Sequence, residues 1–183
     1  MIRVREAREA DVPEIARIHV EAWKTSYAGI IPDDYLVRLN ATGQQRQWKT
    51  SVRRRDHLHR VFVAEDVDPG ANGIAGFASC GPARHEKGSR RSPNDGEIFT
   101  LYVDPDRQGE GIGRELLMRC LEVLHSENRS NAIVWVLAEN QARFFYETLG
   151  AQRIAERQET FAGTELEMAG YVWKLPVDEA ASG

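Results

Sequence analysis

A glycine-bearing turn between a strand-like run and a helix-like run constrains this chain more than any other feature. Residues 96–103 have the apolar character of a strand, and Asp104-Pro105 ends that run. From Ile112 onward, apolar residues recur at helical spacing. The turn between the two runs, residues 108–113, reads Gln-Gly-Glu-Gly-Ile-Gly. This order predicts a helix that begins where a strand has just ended, in a domain that combines a sheet with helices.

The start of that helix has the chemistry of an anion site. The first N–H groups of a helix have no partner within it, and they lie at the positive end of its dipole. Glycines let the backbone approach an anion closely, and Arg107 and Arg114 flank the turn. One interpretation is a diphosphate-bearing cofactor; the other is a turn that only starts a helix. The turn is neither a Walker loop nor a dinucleotide fingerprint, because the Gly-Lys-Ser/Thr and the glycine spacing are absent.

The rest of the chain alternates strand-like and helix-like runs. Strands are predicted over 2–5, 61–65, 74–80, 132–138, 153–160 and 170–175, and helices over 33–39, 42–52 and 140–149. A first helix is predicted from Asp11 to about Lys24, with Asp11 and Glu14 as a capping box. Asn140 is expected to cap the last helix and Gly150 to end it. This mixture predicts an α/β or α+β sheet domain.

Two stretches are predicted to lack regular structure. Residues 81–94 are rich in Gly, Pro, Ser and charge, which is typical of a mobile loop. Residues 177–183 are expected to be a disordered tail. The single domain is therefore expected to span residues 1–176.

Composition excludes several classes of protein. The chain has 183 residues and a net charge of 24 − 28 = −4, and a chain of this length buries roughly 70% of its unfolded surface without a metal or disulfide. No apolar run approaches the ~20 residues of a membrane span, and the charged N-terminus does not resemble a signal peptide. Cys80 and Cys120 match no metal spacing and are too few for a disulfide scaffold. We therefore expect a cytoplasmic protein with no metal, no membrane association and no nucleic-acid partner.

Three motifs in order resemble the GNAT superfamily of acyl-CoA-dependent N-acetyltransferases. Residues 97–105 read Glu-Ile-Phe-Thr-Leu-Tyr-Val-Asp-Pro, similar to the strand that precedes the family's cofactor site. Residues 108–113 match the family's Gln/Arg-x-x-Gly-x-Gly/Ala signature in full. Downstream, residues 140–150 hold the family's Asn, Phe-Tyr and Leu-Gly in the same order. The resemblance implies a mixed, mostly antiparallel sheet that is splayed at the acyl-CoA site and flanked by helices.

The resemblance also implies acetyl-CoA as co-substrate. Backbone N–H groups of the glycine turn would hold its pyrophosphate, while strand residues 101–103 would offer backbone groups to the pantetheine arm. The implied cofactor-binding residues are Leu101, Val103, Arg107, Gln108, Gly109, Gly111, Ile112, Gly113, Arg114 and Asn140.

Two residues are hypothesised to carry the chemistry. A lysine-like amine has a pKa of about 10.4, so making it neutral at pH 7 costs about 4.6 kcal/mol and calls for a base. Glu97 is the candidate base; otherwise it is exposed on its strand or pairs with an arginine. Tyr146 matches the position from which some family members protonate the leaving thiolate, and its alternative is a plain buried tyrosine. The backbone N–H near Leu101 is a candidate oxyanion donor.

The acceptor amine is less well specified. In the branch that residues 23–32 resemble, the link between the first two helices shapes the acceptor site, which points to Trp23, Tyr27 and Ile31, with core packing as the alternative for Trp23. His19 is expected at a solvent position, although it can also face the substrate side. Three functions stay open: transfer to a small amine (amino acid or analogue, polyamine, antibiotic), transfer to a protein N-terminus or lysine, and a non-catalytic acyl-CoA sensor. A homodimer is a further expectation from the resemblance.

Overall fold

The computed structural model describes residues 1–54, 58–68, 73–84 and 94–176. Most of the predicted loop at 81–94 and the predicted tail at 177–183 lie outside these ranges. The strands are β1 (Ile2–Glu6), β2 (Arg60–Asp66), β3 (Gly73–Pro82), β4 (Asp95–Val103), β5 (Asn131–Leu137), β6 (Gln152–Phe161) and β7 (Thr164–Lys174). The α-helices are α1 (Val12–Ser26), α2 (Asp33–Arg38), α3 (Ala41–Arg53), α4 (Ile112–Ser126) and α5 (Ala142–Thr148).

All seven strands form one sheet in the order β1-β2-β3-β4-β5-β7-β6. Every neighbouring pair is antiparallel except β4 and β5, which run parallel. The helix α4 makes the crossover between these two parallel strands. The expectation of a mixed, mostly antiparallel sheet flanked by helices is confirmed.

The sheet opens between β4 and β5. These strands pair only from Asp95 opposite Asn131 to Ile98 opposite Val134. Beyond that point β4 continues for five more residues, from Phe99 to Val103, while it stays paired with β3 on its other side. A register shift in the β3–β4 ladder leaves Phe99 without an opposite residue, which is a β-bulge. Bulges bend a strand and increase its twist. This bulge lies at the point where β4 separates from β5.

Two apolar layers cover the two faces of the sheet. The larger core includes Leu116, Leu117 and Cys120 of α4, and Tyr146 and Trp173 also belong to it. The other face packs α1 and α3 through Ile15, Ile18, Trp48, Val63 and Phe77. The interpretation of Cys120 as a core residue is confirmed, because its side chain has no exposed surface. None of the helices in the described ranges has the length and apolar composition needed to cross a membrane.

The predicted capping box at the start of α1 does not form. The Asp11 carboxylate instead accepts two hydrogen bonds from Arg5, at 2.7 and 2.9 Å, and one from the Arg8 N–H at 2.7 Å. The bidentate geometry of the Arg5–Asp11 pair adds strength and fixes the orientation of the carboxylate. The spacing of Asp11 and Glu14 alone does not predict this partner. At the other predicted cap, the Asn140 side chain accepts from the Ala142 N–H at 2.9 Å, and Gly150 ends the last helix with a φ of 84°.

His19 lies in the interior, which makes the expected solvent position wrong. It sits four residues after Ile15 on the buried face of α1, and only 7% of its surface is exposed. The Trp48 Nε1–H donates to His19 Nδ1 at 2.9 Å, and the ring stacks on Tyr102 with centroids 5.5 Å apart. Burial lowers the pKa of His19 from 6.5 to about 4, so the imidazole is neutral at pH 7.

Replacing Gly96 by alanine tests the packing of α4 on the sheet. A Cβ at Gly96 would lie 2.7 Å from Leu124 Cδ2, so we expect Gly96→Ala to lower the free energy of unfolding by about 1–3 kcal/mol. Gly73→Ala is the matched control, because a Cβ there meets no atom within 4 Å. Urea denaturation of the two variants measures the difference, and equal stabilities would contradict the packing described.

The burial of His19 predicts a specific loss of stability in acid. Its pKa is lower in the folded protein than in the unfolded chain, so the unfolded chain binds one more proton between pH 6.5 and about 4. The contribution of His19 to the free energy of unfolding is complete above pH 6.5 and is lost as the pH falls toward 4. Between pH 7 and pH 4.5 the wild type should lose about 2–3 kcal/mol more unfolding free energy than His19→Phe. Parallel pH dependences of the two proteins would contradict this burial.

Candidate active site

The parting of β4 and β5 leaves a cavity of about 710 Å³ between these strands and the start of α4. This volume lies within the range of small-molecule sites. All ten residues predicted to bind the cofactor line it: Leu101, Val103, Arg107, Gln108, Gly109, Gly111, Ile112, Gly113, Arg114 and Asn140. Tyr146 and Tyr27 line it as well.

The glycine turn gives the cavity an anion-binding wall. Gly109 and Gly111 adopt left-handed φ angles of 83° and 82°, which strain any residue with a Cβ. Gly111 precedes the first turn of α4, and no side chain caps that turn. A Cβ at Gly113 would lie 3.4 Å from the Phe145 ring, so a larger side chain there would fill the mouth. The first N–H groups of α4 therefore remain available to an anion at the positive end of the helix.

The two arginines of this wall differ in their partners. Arg107 pairs with Glu110 at 2.7 Å and with Asp66 at 3.1 Å, and these carboxylates raise its pKa further above its ordinary value. Arg114 forms no ion pair with any described residue and is exposed at the cavity. Arg114 is therefore the cation that can turn to a ligand without giving up a partner.

One side wall of the cavity is the edge of β4. On its far side, Leu101 pairs with Ala78 and Val103 pairs with Gly76 of β3. On the cavity side, β4 has no strand partner beyond Ile98. An extended chain that contains amides can pair with such an edge as an added strand would.

Tyr146 lies at the inner wall of the cavity. Its ring packs against Phe145 and Trp173, with centroids 5.2 and 5.9 Å away. The hydroxyl makes no hydrogen bond to a described residue, and Tyr146, only 6% of which is exposed, lines the cavity. Burial, with a smaller effect from nearby Tyr27, raises the pKa of Tyr146 above 10. The phenol is therefore protonated at neutral pH and can act as a donor.

Of the three predicted acceptor-site residues, the structure brings only Tyr27 to the cavity. Trp23 donates from Nε1 to the Tyr102 hydroxyl at 2.9 Å, and its ring lies 5.0 Å from that of Tyr27. Ile31 is buried in a small cluster with Leu36 and Leu137. Trp23 and Ile31 thus support the wall that carries Tyr27, which corresponds to the core-packing alternative for Trp23.

Glu97 does not line this cavity. It is buried on β4, and its carboxylate accepts three hydrogen bonds from Arg84: from the backbone N–H at 2.9 Å, from Nε at 3.1 Å and from Nη2 at 2.5 Å. The arginine pair, given as the alternative for this residue, is therefore present in the structure. Two of these bonds reach Oε1 and one reaches Oε2, so Oε2 keeps one lone pair that no described residue uses.

Phe99 and Thr100 line the cavity at the bulge, and neither is among the residues predicted from the sequence. The sequence gives no clear signal for them, because residues 98–103 are apolar at every position except Thr100 and show no alternation that would mark a bulge. Sequence reasoning also missed the inward position of His19, although spacing from Ile15 placed it on the apolar face. Among the described residues, no three His, Cys, Asp or Glu side chains lie together in a way that could hold a metal ion.

Comparison with known proteins identifies the family of this chain. The sequence model of the Acetyltransferase (GNAT) family matches residues 14–151. The uncharacterized N-acetyltransferase YuaI of Bacillus subtilis is 38% identical over 173 residues, which are 94% of this chain and 93% of that protein. The L-amino acid N-acyltransferase MnaT of Escherichia coli is 29% identical over 149 residues, 80% of this chain and 77% of that protein.

The fold is shared with a solved enzyme. The PaiA N-acetyltransferase of Thermoplasma acidophilum, crystallised in complex with coenzyme A, superposes with a TM-score of 0.72 at 19% identity, covering 95% of this chain and 99% of that chain. The family match spans most of the chain and includes the β4 edge, the glycine turn and Tyr146. The protein therefore belongs to the GNAT family of acetyltransferases.

Proposed function

We propose that this protein transfers the acetyl group of acetyl-CoA to the primary amine of a small molecule. The observation that carries the proposal is one cavity in which the uncapped start of α4, the unpaired edge of β4 and the free Tyr146 hydroxyl meet. The relative named as an L-amino acid N-acyltransferase, and the neighbour crystallised with coenzyme A, support the same chemistry.

Different residues along the cavity bind different parts of acetyl-CoA. The N–H groups that follow Gly111, with Arg114, bind the pyrophosphate, and the β4 edge at Leu101 and Val103 binds the amides of the pantetheine arm. The backbone N–H near Leu101 polarises the carbonyl of the acetyl thioester that acetyl-CoA supplies. The amine nitrogen bonds to the acetyl carbon, the carbon–sulfur bond breaks, and one amine proton replaces the acetyl group on sulfur. Tyr146 donates the proton to the departing thiolate and is reprotonated from solvent or the base.

Replacing Tyr146 by phenylalanine tests the proton donor. The change removes the hydroxyl and keeps the ring that packs on Trp173, so kcat should fall by roughly ten- to a thousandfold while the Kd for coenzyme A stays the same. Thiol release from acetyl-CoA with an acetylated amine measures kcat, and calorimetry measures the Kd. An unchanged kcat would remove Tyr146 from the mechanism.

Because Glu97 does not line the cavity, it is proposed as a base that takes the amine proton through water, and Glu97→Gln tests this role. If Glu97 is the base, kcat/KM of the variant is lower at every pH, because no carboxylate remains to accept the proton. The pH at which kcat/KM increases also shifts. If Glu97 only anchors Arg84, the variant shows a lower melting temperature and an unchanged pH profile. Arg84→Met is the matched variant, since it breaks the same ion pair and leaves the carboxylate.

The two other functions give different results in the same assay. A sensor would bind coenzyme A and release no thiol with any amine. A protein acetyltransferase would release thiol with peptides and not with free amino acids or polyamines. Cytoplasmic location and a homodimer stay predictions from the sequence.

A further inference from the structure

Three aromatic side chains beside the cavity are joined in a series by hydrogen bonds. The Trp23 Nε1–H donates to the Tyr102 hydroxyl at 2.9 Å, and the hydroxyls of Tyr102 and Tyr27 lie 3.4 Å apart. Both tyrosines line the cavity, and Trp23 does not. The series therefore connects an indole behind the wall to two phenols on the wall itself.

The number of protons in this series exceeds the number that its own bonds can use. The Trp23 indole can only donate, and each phenol carries one proton at neutral pH, because burial raises the pKa of both tyrosines above 10. The three groups hold three protons, and the two bonds between them use at most two. Neither tyrosine donates to another residue that the structure describes. Whichever way the bond between the phenols runs, one proton is left for a molecule in the cavity.

The side chain of Asn140 indicates that this proton belongs to Tyr27. Asn140 Oδ1 accepts from the Ala142 N–H at 2.9 Å, so its Nδ2 is the group that can donate. Burial raises the pKa of Tyr27, and hydrogen bonds from Tyr102 and Asn140 oppose that rise. Bonds that the hydroxyl oxygen accepts have this effect on a phenol. The Tyr27 oxygen therefore accepts, and the Tyr27 proton is the one without a partner among the described residues.

The cavity thus contains a second unused phenol proton beside that of Tyr146. The two phenols come from different elements, since Tyr27 follows the last residue of α1 and Tyr146 lies in α5. They are near each other: after burial, Tyr27 has the largest effect on the pKa of Tyr146. An atom at the inner wall of the cavity can therefore meet a donor from each of the two elements.

A leaving thiolate is the group that gains most from two such donors. Tyr146, with a pKa above 10, is a weaker acid than a thiol, whose pKa is about 8.5. Full transfer of its proton to sulfur is therefore uphill, and sulfur carries negative charge while the carbon–sulfur bond breaks. Hydrogen bonds to a charged acceptor are about twice as strong as neutral ones. A second phenol would stabilise this charge without giving up its own proton.

We propose that the Tyr27 hydroxyl is a second catalytic donor, which forms a hydrogen bond to the sulfur of coenzyme A beside Tyr146. This inference rests on the proposed function and places Tyr27 against the acyl donor rather than the acceptor amine. When the carbon–sulfur bond breaks, its electron pair stays on sulfur, and the proton that sulfur gains comes from Tyr146. Tyr27 keeps its proton throughout.

The acidity of bound coenzyme A tests this contact without any acceptor amine. We would titrate the thiol of bound coenzyme A by the ultraviolet absorbance of its thiolate, with desulfo-coenzyme A as the blank for the tyrosines. A donor to the thiolate lowers the pKa of the thiol, so Tyr27→Phe should raise that pKa by about half a unit or more. An unchanged thiol pKa in a Tyr27→Phe protein with the wild-type Kd for coenzyme A would overturn the inference.

Tyr35→Phe is the matched control for this titration. Tyr35 packs in the same group of aromatic rings, with its centroid 6.2 Å from that of Trp23, but it does not line the cavity. Its removal of a hydroxyl should leave the thiol pKa at the wild-type value. The charged residues that line the cavity, Arg107, Arg114 and Glu139, are the same in all of these proteins, so their effect on the thiol cancels.

Tyr146→Phe gives a test that leaves Tyr27 in place. The thiol of coenzyme A bound to this variant should still titrate about half a unit or more below the free thiol, because Tyr27 continues to donate. Adding Tyr27→Phe to it should remove most of that difference. A Tyr146→Phe protein whose bound thiol titrates like free coenzyme A would overturn the inference, even if Tyr27→Phe itself does not fold.

Kinetics separates this inference from the proposed function. With an amine that is acetylated, Tyr27→Phe should lower kcat about tenfold or more and change the KM for acetyl-CoA less than about twofold, because the charge on sulfur develops only in the transition state. A full kcat in Tyr27→Phe would overturn the role of Tyr27 and leave the proposed function standing. A wild type that does not bind coenzyme A would overturn both.

Discussion

The site depends on the point at which β4 and β5 stop pairing. Two parallel strands that separate inside a sheet expose backbone N–H and C=O groups that elsewhere are satisfied by a neighbour. A buried group of this kind without a partner costs about 1–3 kcal/mol, so such an opening persists only where water or a ligand supplies the missing hydrogen bonds. Here β4 continues five residues past Ile98, from Phe99 to Val103, and after the bulge at Phe99 it remains paired with β3. The opening is therefore a fixed part of the fold.

The crossover helix makes the two ends of this opening chemically different. Because α4 connects β4 to β5, its start must lie at the open end of the cleft, and its positive dipole faces whatever enters there. Gly109 and Gly111 make the turn tight enough for this, and α5 places Tyr146 on the inner wall. An uncapped helix start, an unpaired strand edge and a tyrosine hydroxyl lie along a single cavity. That sequence of groups suits a long ligand with a diphosphate at one end and a reactive thioester at the other.

Local patterns in the sequence predicted the parts of this site that depend on nearby residues. The turn at 108–113, the helix from Ile112 and the stop at Gly150 follow from glycine conformation and helical spacing, and all are present. Contacts between distant residues were not predictable in this way. Asp11 binds Arg5 and leaves the helix uncapped, and Glu97 is held by Arg84, which lies two residues after the end of β3. The bulge at Phe99 is a property of pairing between β3 and β4, and neither strand shows it alone.

The proposed function requires that the cavity beside α4 holds coenzyme A with its diphosphate at the glycine turn. Isothermal titration of coenzyme A into the wild type and into Gly113→Leu tests it most directly, because a side chain at Gly113 would project toward Phe145 and Val103 across the mouth. We expect one site per chain in the wild type and a loss of affinity of about tenfold or more, about 1.4 kcal/mol, in a variant that remains folded. No heat of binding in the wild type, or the same Kd in the folded variant, would contradict it.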